Sequence, residues 1–115
     1  MKIDRIINKL FKRCDNTIKV RDISFCTLKD MLKNSNDLVL IDVRSPMEFR
    51  EGRINTAINI PFYDIEKDVR RVIPNLNLTI IVYCQSGTRS KKAYRILEKL
   101  GYTNLYNLRG GLDGV

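Results

Sequence analysis

Two stretches of this chain, "DLVLIDV" (residues 37–43) and "LTIIVYC" (residues 78–84), are apolar almost without interruption. A strand with one face in water alternates polar and apolar residues. These two do not, so both of their faces must be covered. A polypeptide of 115 residues meets that demand most simply as one α/β domain, a parallel sheet between layers of helices.

The segments around the runs fit this expectation. "TIKVRDIS" (residues 17–24) reads as a short strand, and Ser24 or Thr27 is placed to cap a helix through "LKDMLKN". "SPMEFREG" reads as a short helix, with Pro46 in its first turn and Gly52 closing it. "AINI" is a short strand and "FYDIEKDVRRVI" a helix ended by Pro74. "TRSKKAYRILEKL" is a helix with Ala93, Ile96, Leu97 and Leu100 on one face, and "NLYNL" is a last strand before "RGGLDG". Ahead of these, Ile3, Ile6, Ile7, Leu10 and Phe11 recur at helical spacing. They predict an N-terminal amphipathic helix over residues 1–16, packed on the domain proper at residues 17–115.

Composition narrows the chemistry. The chain has no histidine, so no imidazole can activate a nucleophile or hold a metal. The three cysteines, Cys14, Cys26 and Cys84, are far apart and odd in number. They suit a reducing compartment better than a disulfide framework, and they make a poor zinc set. Cys14 and Cys26 read as ordinary core or surface thiols; Tyr83, Tyr94, Tyr102 and Tyr106 read as packing residues. The net charge is +8, but the cations are dispersed, without a nucleic-acid motif or interleaved stacking aromatics. The excess reads as a lysine-rich surface, and no nucleic-acid partner is expected. No apolar run approaches the roughly 20 residues of a membrane span. "MKIDRIINKLFKRCDN" lacks the apolar block and cleavage site of a signal peptide. A cytoplasmic location is expected, with no transmembrane segment, metal or cofactor.

Sites in parallel sheets form beyond the carboxyl ends of the strands. Cys84 occupies that position on the second apolar run; Asp42 and Arg44 occupy it on the first. After Cys84 comes a short loop, then a helix whose first turns carry Arg89, Lys91 and Lys92 and no acid. Helix N-termini bear partial positive charge and ordinarily attract Asp or Glu. The exception makes sense if an anion occupies the helix start. Gly87 permits a tight turn that aims successive N–H groups inward, and a Cys84 thiolate would sit inside that ring. Such settings depress a cysteine below the free-thiol value of about 8.5, which replaces the missing histidine.

The stretches "IDVRSPMEFREGRINTAINIP" (residues 41–61), "CQSGTRS" (residues 84–90) and "LGYTNLYNLRGG" (residues 100–111) resemble, in order and spacing, the three signature regions of the single-domain rhodanese family. The resemblance runs over about residues 22–115. It implies a rhodanese-like fold: a five-stranded parallel sheet with helices on both faces. It implies sulfurtransferase activity, with Cys84 as the residue that becomes a persulfide. The backbone amides of Gln85, Ser86, Gly87, Thr88 and Arg89 would form the cradle, closed by Arg89. Asp42 and Arg44 would buttress it, with Glu48 as an ion-pair partner for Arg44. The implied substrates are a small sulfur donor, thiosulfate or a persulfide, and a thiophilic acceptor, cyanide or a thiol, with a protein acceptor as a further option. Three departures stand out. Gln85 takes a position where the family often has a cation. "GRINTA" stands where the family often reads Gly-His-Ile-Pro-Gly-Ala. "GGLDGV" lacks the usual closing aromatic and helix.

Two other functions share the same cysteine. A non-enzymatic sulfur carrier or redox-sensing module would differ only in delivering its persulfide to a protein partner. A phosphatase or arsenate reductase of the same fold would also use a cysteine in an amide cradle closed by an arginine. That phosphatase pattern places five residues between the two, whereas four intervene between Cys84 and Arg89. Sulfur transfer is therefore the leading reading.

Overall fold

The computed structural model describes residues 19–115; the expected helix over residues 1–16 and Cys14 lie outside the described residues. Five strands, β1 (Asp22–Ile23), β2 (Leu38–Asp42), β3 (Ile58–Asn59), β4 (Thr79–Tyr83) and β5 (Leu105–Leu108), form one sheet in the order β1-β5-β4-β2-β3. Every neighbouring pair is parallel. The two apolar runs become adjacent inner strands. They pair in register from Leu38 opposite Thr79 to Asp42 opposite Tyr83, so their carboxyl ends are level.

The helices are α1 (Phe25–Asn34), α2 (Pro46–Glu51), α3 (Ile65–Val72) and α4 (Thr88–Lys99). Strand residues alternate between two cores because successive side chains point to opposite faces. Ile80 and Val82, with Ile41 and Val43 from β2 and its exit, pack under Ile65 and Val69 of α3 and Ala93, Tyr94 and Leu97 of α4. Leu40, Ile81 and Tyr83 pack against Leu28 of α1 on the other face. Each such fully buried aliphatic contributes about 1.5–3 kcal/mol relative to exposure. Both faces of β2 and β4 are thus dry, as their unbroken apolar runs demand.

Local differences from the sequence expectations have local causes. Within the described part of the stretch 17–24, residues 19–24, the strand covers Asp22–Ile23. It is an edge strand, with one neighbour and two residues of ladder. Ser24, not Thr27, caps α1: its side chain accepts from the Thr27 N–H at 3.1 Å. The segment after Pro61 opens as a 3-10 turn over Phe62–Asp64 before α3 begins. The Asp64 N–H donates back to the Pro61 carbonyl at 2.8 Å, a tighter closure than α-helical bonding allows. No helix among the described residues is long and apolar enough to cross a membrane.

Candidate active site

The parallel sheet brings the ends of β2 and β4 together, but it secures the two following loops differently. The loop after β2 is held by side chains. Asp42 is fully buried and Arg44 is 5 % exposed. Residues two apart on a strand share a face, so the pair closes locally: Arg44 Nη2 lies 2.7 Å from Asp42 Oδ2, and Arg44 Nε donates to both carboxylate oxygens. The hydrogen bond to Asp42, opposed by burial, holds the Arg44 guanidinium above its ordinary pKa. Arg44 also donates to the Gly52 carbonyl at the end of α2. Asn59 on β3 donates from Nδ2 to the carbonyls of Asp42 at 2.9 Å and Arg44 at 3.0 Å.

Glu48 does not pair with Arg44, and the expectation is corrected here. Glu48 is the third residue of α2, whose first turn forms a capping box with Ser45. The Ser45 N–H and hydroxyl both donate to Glu48 Oε1, at 3.1 and 3.0 Å. The box aims the carboxylate across to the next loop, where Arg89 meets it with two parallel bonds: Nη1 to Oε1 at 2.8 Å and Nη2 to Oε2 at 3.0 Å. This fork geometry is the strong form of an arginine–carboxylate contact. Arg89 in turn brings the Glu48 carboxyl down to about 2. Asp42 and Arg44 therefore make no hydrogen bond to residues 84–90 through their side chains. Their support reaches that loop through α2, Glu48 and Arg89.

The loop after β4 is held by backbone. Cys84 is 1 % exposed. Its Sγ accepts from the Gly87 N–H at 3.0 Å and the Ser90 N–H at 3.4 Å, and lies 3.5 Å from Ser90 Oγ. Gly87 takes a φ of +103° as the residue before α4, a left-handed conformation that lets the chain turn its amides inward. No side chain caps α4 and no acid occupies its first turn, which leaves the Ser90 N–H to the sulfur. Burial pushes the Cys84 thiol up. The Ser90 hydroxyl and the amides of Ser90, Gly87 and Ser86 outweigh it, and the net direction is down.

Among the expected cradle residues, Gly87 serves the sulfur through its N–H, and the Ser86 amide helps to lower the Cys84 thiol. The Thr88 hydroxyl lies 3.5 Å from that of Ser86. The Gln85 side chain turns instead to Asp113, donating from Nε2 to Oδ1 at 2.7 Å. Arg89 ties the loop to α2 through its fork to Glu48; its charge also interacts with Cys84, more weakly than with Glu48. The sequence reading missed Ser90, which is fully buried. Its hydroxyl carries one proton and donates to the Gly87 carbonyl at 3.1 Å; when Cys84 ionises, that proton is the one available to turn to the sulfur.

Also missed was the clamp behind the loop. The 3-10 turn Gly111–Gly114 follows β5. There the N–H of Leu112 donates to the Cys84 carbonyl at 3.0 Å, and that of Asp113 to the Gln85 carbonyl at 2.8 Å. Holding these carbonyls outward leaves the following amides free to face inward. A Cβ at Gly111 would meet Cys84 O at 2.3 Å and Gln85 O at 2.6 Å, so only glycine permits this approach. The turn Gly111–Gly114 thus packs directly on the cradle. Cys26 is exposed on α1, on the sheet face opposite the core that includes Cys84.

Comparisons with known proteins identify the family. A model of the rhodanese-like domain matches residues 26–115. The thiosulfate sulfurtransferase PspE of Escherichia coli (strain K12) is 37% identical over 75 residues, covering 65% of this chain and 71% of that protein. A sulfurtransferase of Allochromatium vinosum is 32% identical over 93 residues, 81% of this chain and 85% of its own. Among solved structures, the human single-domain sulfurtransferase TSTD1 superposes with a TM-score of 0.71 at 28% identity, covering 81% of this chain and 92% of that one. With the family model spanning most of the chain, and the cysteine loop built at the carboxyl end of its inner strand, this protein belongs to the rhodanese-like domain family and is a rhodanese-type sulfurtransferase.

Proposed function

We propose that Cys84 is the sulfur carrier of this enzyme. Its thiolate attacks the sulfane sulfur of a donor, thiosulfate or a persulfide. The new Cys84 S–S bond forms as the donor's S–S bond breaks, and the leaving group, sulfite or a thiolate, departs with the electron pair. The outer sulfur of the Cys84 persulfide is then attacked by cyanide or a thiolate; the S–S bond breaks and the Cys84 thiolate returns. No net oxidant is required. This is covalent catalysis in two displacement steps. The observation that carries the reading is the pair of N–H groups, from Gly87 and Ser90, directed at the Cys84 sulfur in a chain without histidine. They stabilise negative charge before and after sulfur is loaded.

The test is intact mass after incubation with thiosulfate and, separately, with an organic persulfide. The unmodified protein gains one sulfur atom, which cyanide removes. Cys84→Ser gains none, and the double variant Cys14→Ser/Cys26→Ser gains it as the parent does. Loading that survives Cys84→Ser, or fails in the double variant, overturns the assignment.

A further inference from the structure

The carboxylate of Asp113 has a place in this site that no part of the reaction above uses. Its Oδ1 accepts from the neutral Gln85 carboxamide at 2.7 Å, and its own N–H is bonded to the Gln85 carbonyl at 2.8 Å. Two bonds therefore fix it beside the residue that follows the sulfur-bearing cysteine. The adjoining Leu112 N–H is on the Cys84 carbonyl at 3.0 Å.

Two of the cations around the loop are spent on ion pairs. Arg89 is paired with Glu48, and Arg44 with Asp42. Lys91 and Lys92 are exposed on the first turns of α4, and Arg109 is exposed ahead of the clamp. Asp113 makes no ion pair among the described residues. On a chain of net charge +8, the residue next to Cys84 thus holds a carboxylate that makes no ion pair among the described residues.

We propose that Asp113 sets the charge of the sulfur donor. It disfavours dianions and leaves the site to donors of lower negative charge, such as singly charged thiosulfonates and organic persulfides. The inference rests on Cys84 being the sulfur carrier. Coulomb repulsion scales with donor charge, so this carboxylate penalises a dianion by the square of the factor it imposes on a monoanion. Salt screens both.

Thiosulfate and methanethiosulfonate test this directly. Both deliver a sulfane sulfur to the thiolate, releasing sulfite and methanesulfinate respectively, and they differ by one charge. The measured quantity is the second-order rate of sulfur loading on Cys84, by intact mass, in the full chain. Asp113→Gln and Asp113→Glu are compared because they are alike in length and differ in charge. Asp113→Gln is expected to raise the thiosulfate rate about three- to fivefold and the methanethiosulfonate rate by about the square root of that. The gain shrinks towards unity in high salt, and Asp113→Glu keeps the parental ratio of the two rates. A merely structural role for the side chain would change both donors by one factor and leave their ratio alone. An unchanged ratio in Asp113→Gln, or the same altered ratio in both variants, overturns the proposal. If the unmodified protein loads sulfur from neither donor, the sulfur-carrier reading of Cys84 fails and this inference falls with it. Loading with an insensitive ratio refutes Asp113 alone.

Discussion

The loops that leave β2 and β4 begin level with one another, yet they are built on opposite principles. The β2 loop is a lattice of side chains: Asp42 on Arg44, Arg44 on the Gly52 carbonyl, Asn59 on two backbone carbonyls, Ser45 on Glu48. The β4 loop is a lattice of main chain, its amides on the Cys84 sulfur and its carbonyls on the turn Gly111–Gly114. The difference follows from what each must do. A buried salt-bridged loop is rigid and chemically quiet, suited to fixing a helix. A loop that stabilises an anion needs N–H groups free of other partners, and a glycine turn supplies them without adding a competing charge. One fork, Glu48 to Arg89, couples the two.

Breaking each lattice separately should give different signatures. Asp42→Asn keeps the shape and removes the charge, leaving Arg44 buried without its counter-ion. Orphaning one member of a buried pair costs about 3–5 kcal/mol, read as a lowered midpoint in urea denaturation. Any protein still folded should load sulfur at close to the parental rate. Gly111→Ala forces a Cβ onto the carbonyls of Cys84 and Gln85 at a residue with φ +60°. Overpacking and backbone strain together cost about 3 kcal/mol, but here the larger signature is chemical: sulfur loading should fall at least tenfold, on the order of the loss of one aligned amide. Equal effects of the two variants on loading per folded molecule would erase the distinction between the loops. The smallest effect is a gain. Thr56 has φ +74° in the turn closed by the Ala57 N–H on the Ile54 carbonyl, a left-handed conformation that is costly for a β-branched residue. Thr56→Gly should raise stability by about 0.5–1 kcal/mol. It touches neither lattice, so sulfur loading should not change, and a changed loading rate would show that the two loops are not insulated from that turn.

The same contrast explains what could be read in the sequence. β2 and β4 announced themselves because burial on both faces removes alternation, and Cys84, Gly87 and the acid-free start of α4 were visible as a break in the helix-terminus rule. Side-chain partners were harder. Ser45-Pro46-Met47-Glu48 carries a capping-box signature, yet nothing in it says that the carboxylate also reaches Arg89, 41 residues on. The family resemblance pointed to Arg44 as the partner of Glu48, but Arg44 is taken by Asp42 on the same strand face. Ser90 looked like any serine in a first helical turn. The clamp was invisible for a more general reason: its bonds are main chain to main chain, made by Leu112 and Asp113, and backbone bonding across the chain leaves no residue signature except the glycine that permits the approach.

The central claim is that main-chain N–H groups and Ser90, more than the Arg89 charge, hold Cys84 as a thiolate. It is tested by the pH dependence of Cys84 alkylation by iodoacetamide, followed on the Cys84 peptide by mass spectrometry. Only the thiolate reacts, so the rate rises with pH through the thiol's own midpoint, and a depressed pKa moves that rise to lower pH. The account predicts a midpoint below the free-thiol value of about 8.5. It further predicts that Ser90→Ala moves the midpoint upward, while the charge-balanced double variant Arg89→Gln/Glu48→Gln moves it less. A midpoint at or above 8.5 in the unmodified protein, or a larger shift from the double variant than from Ser90→Ala, would contradict it.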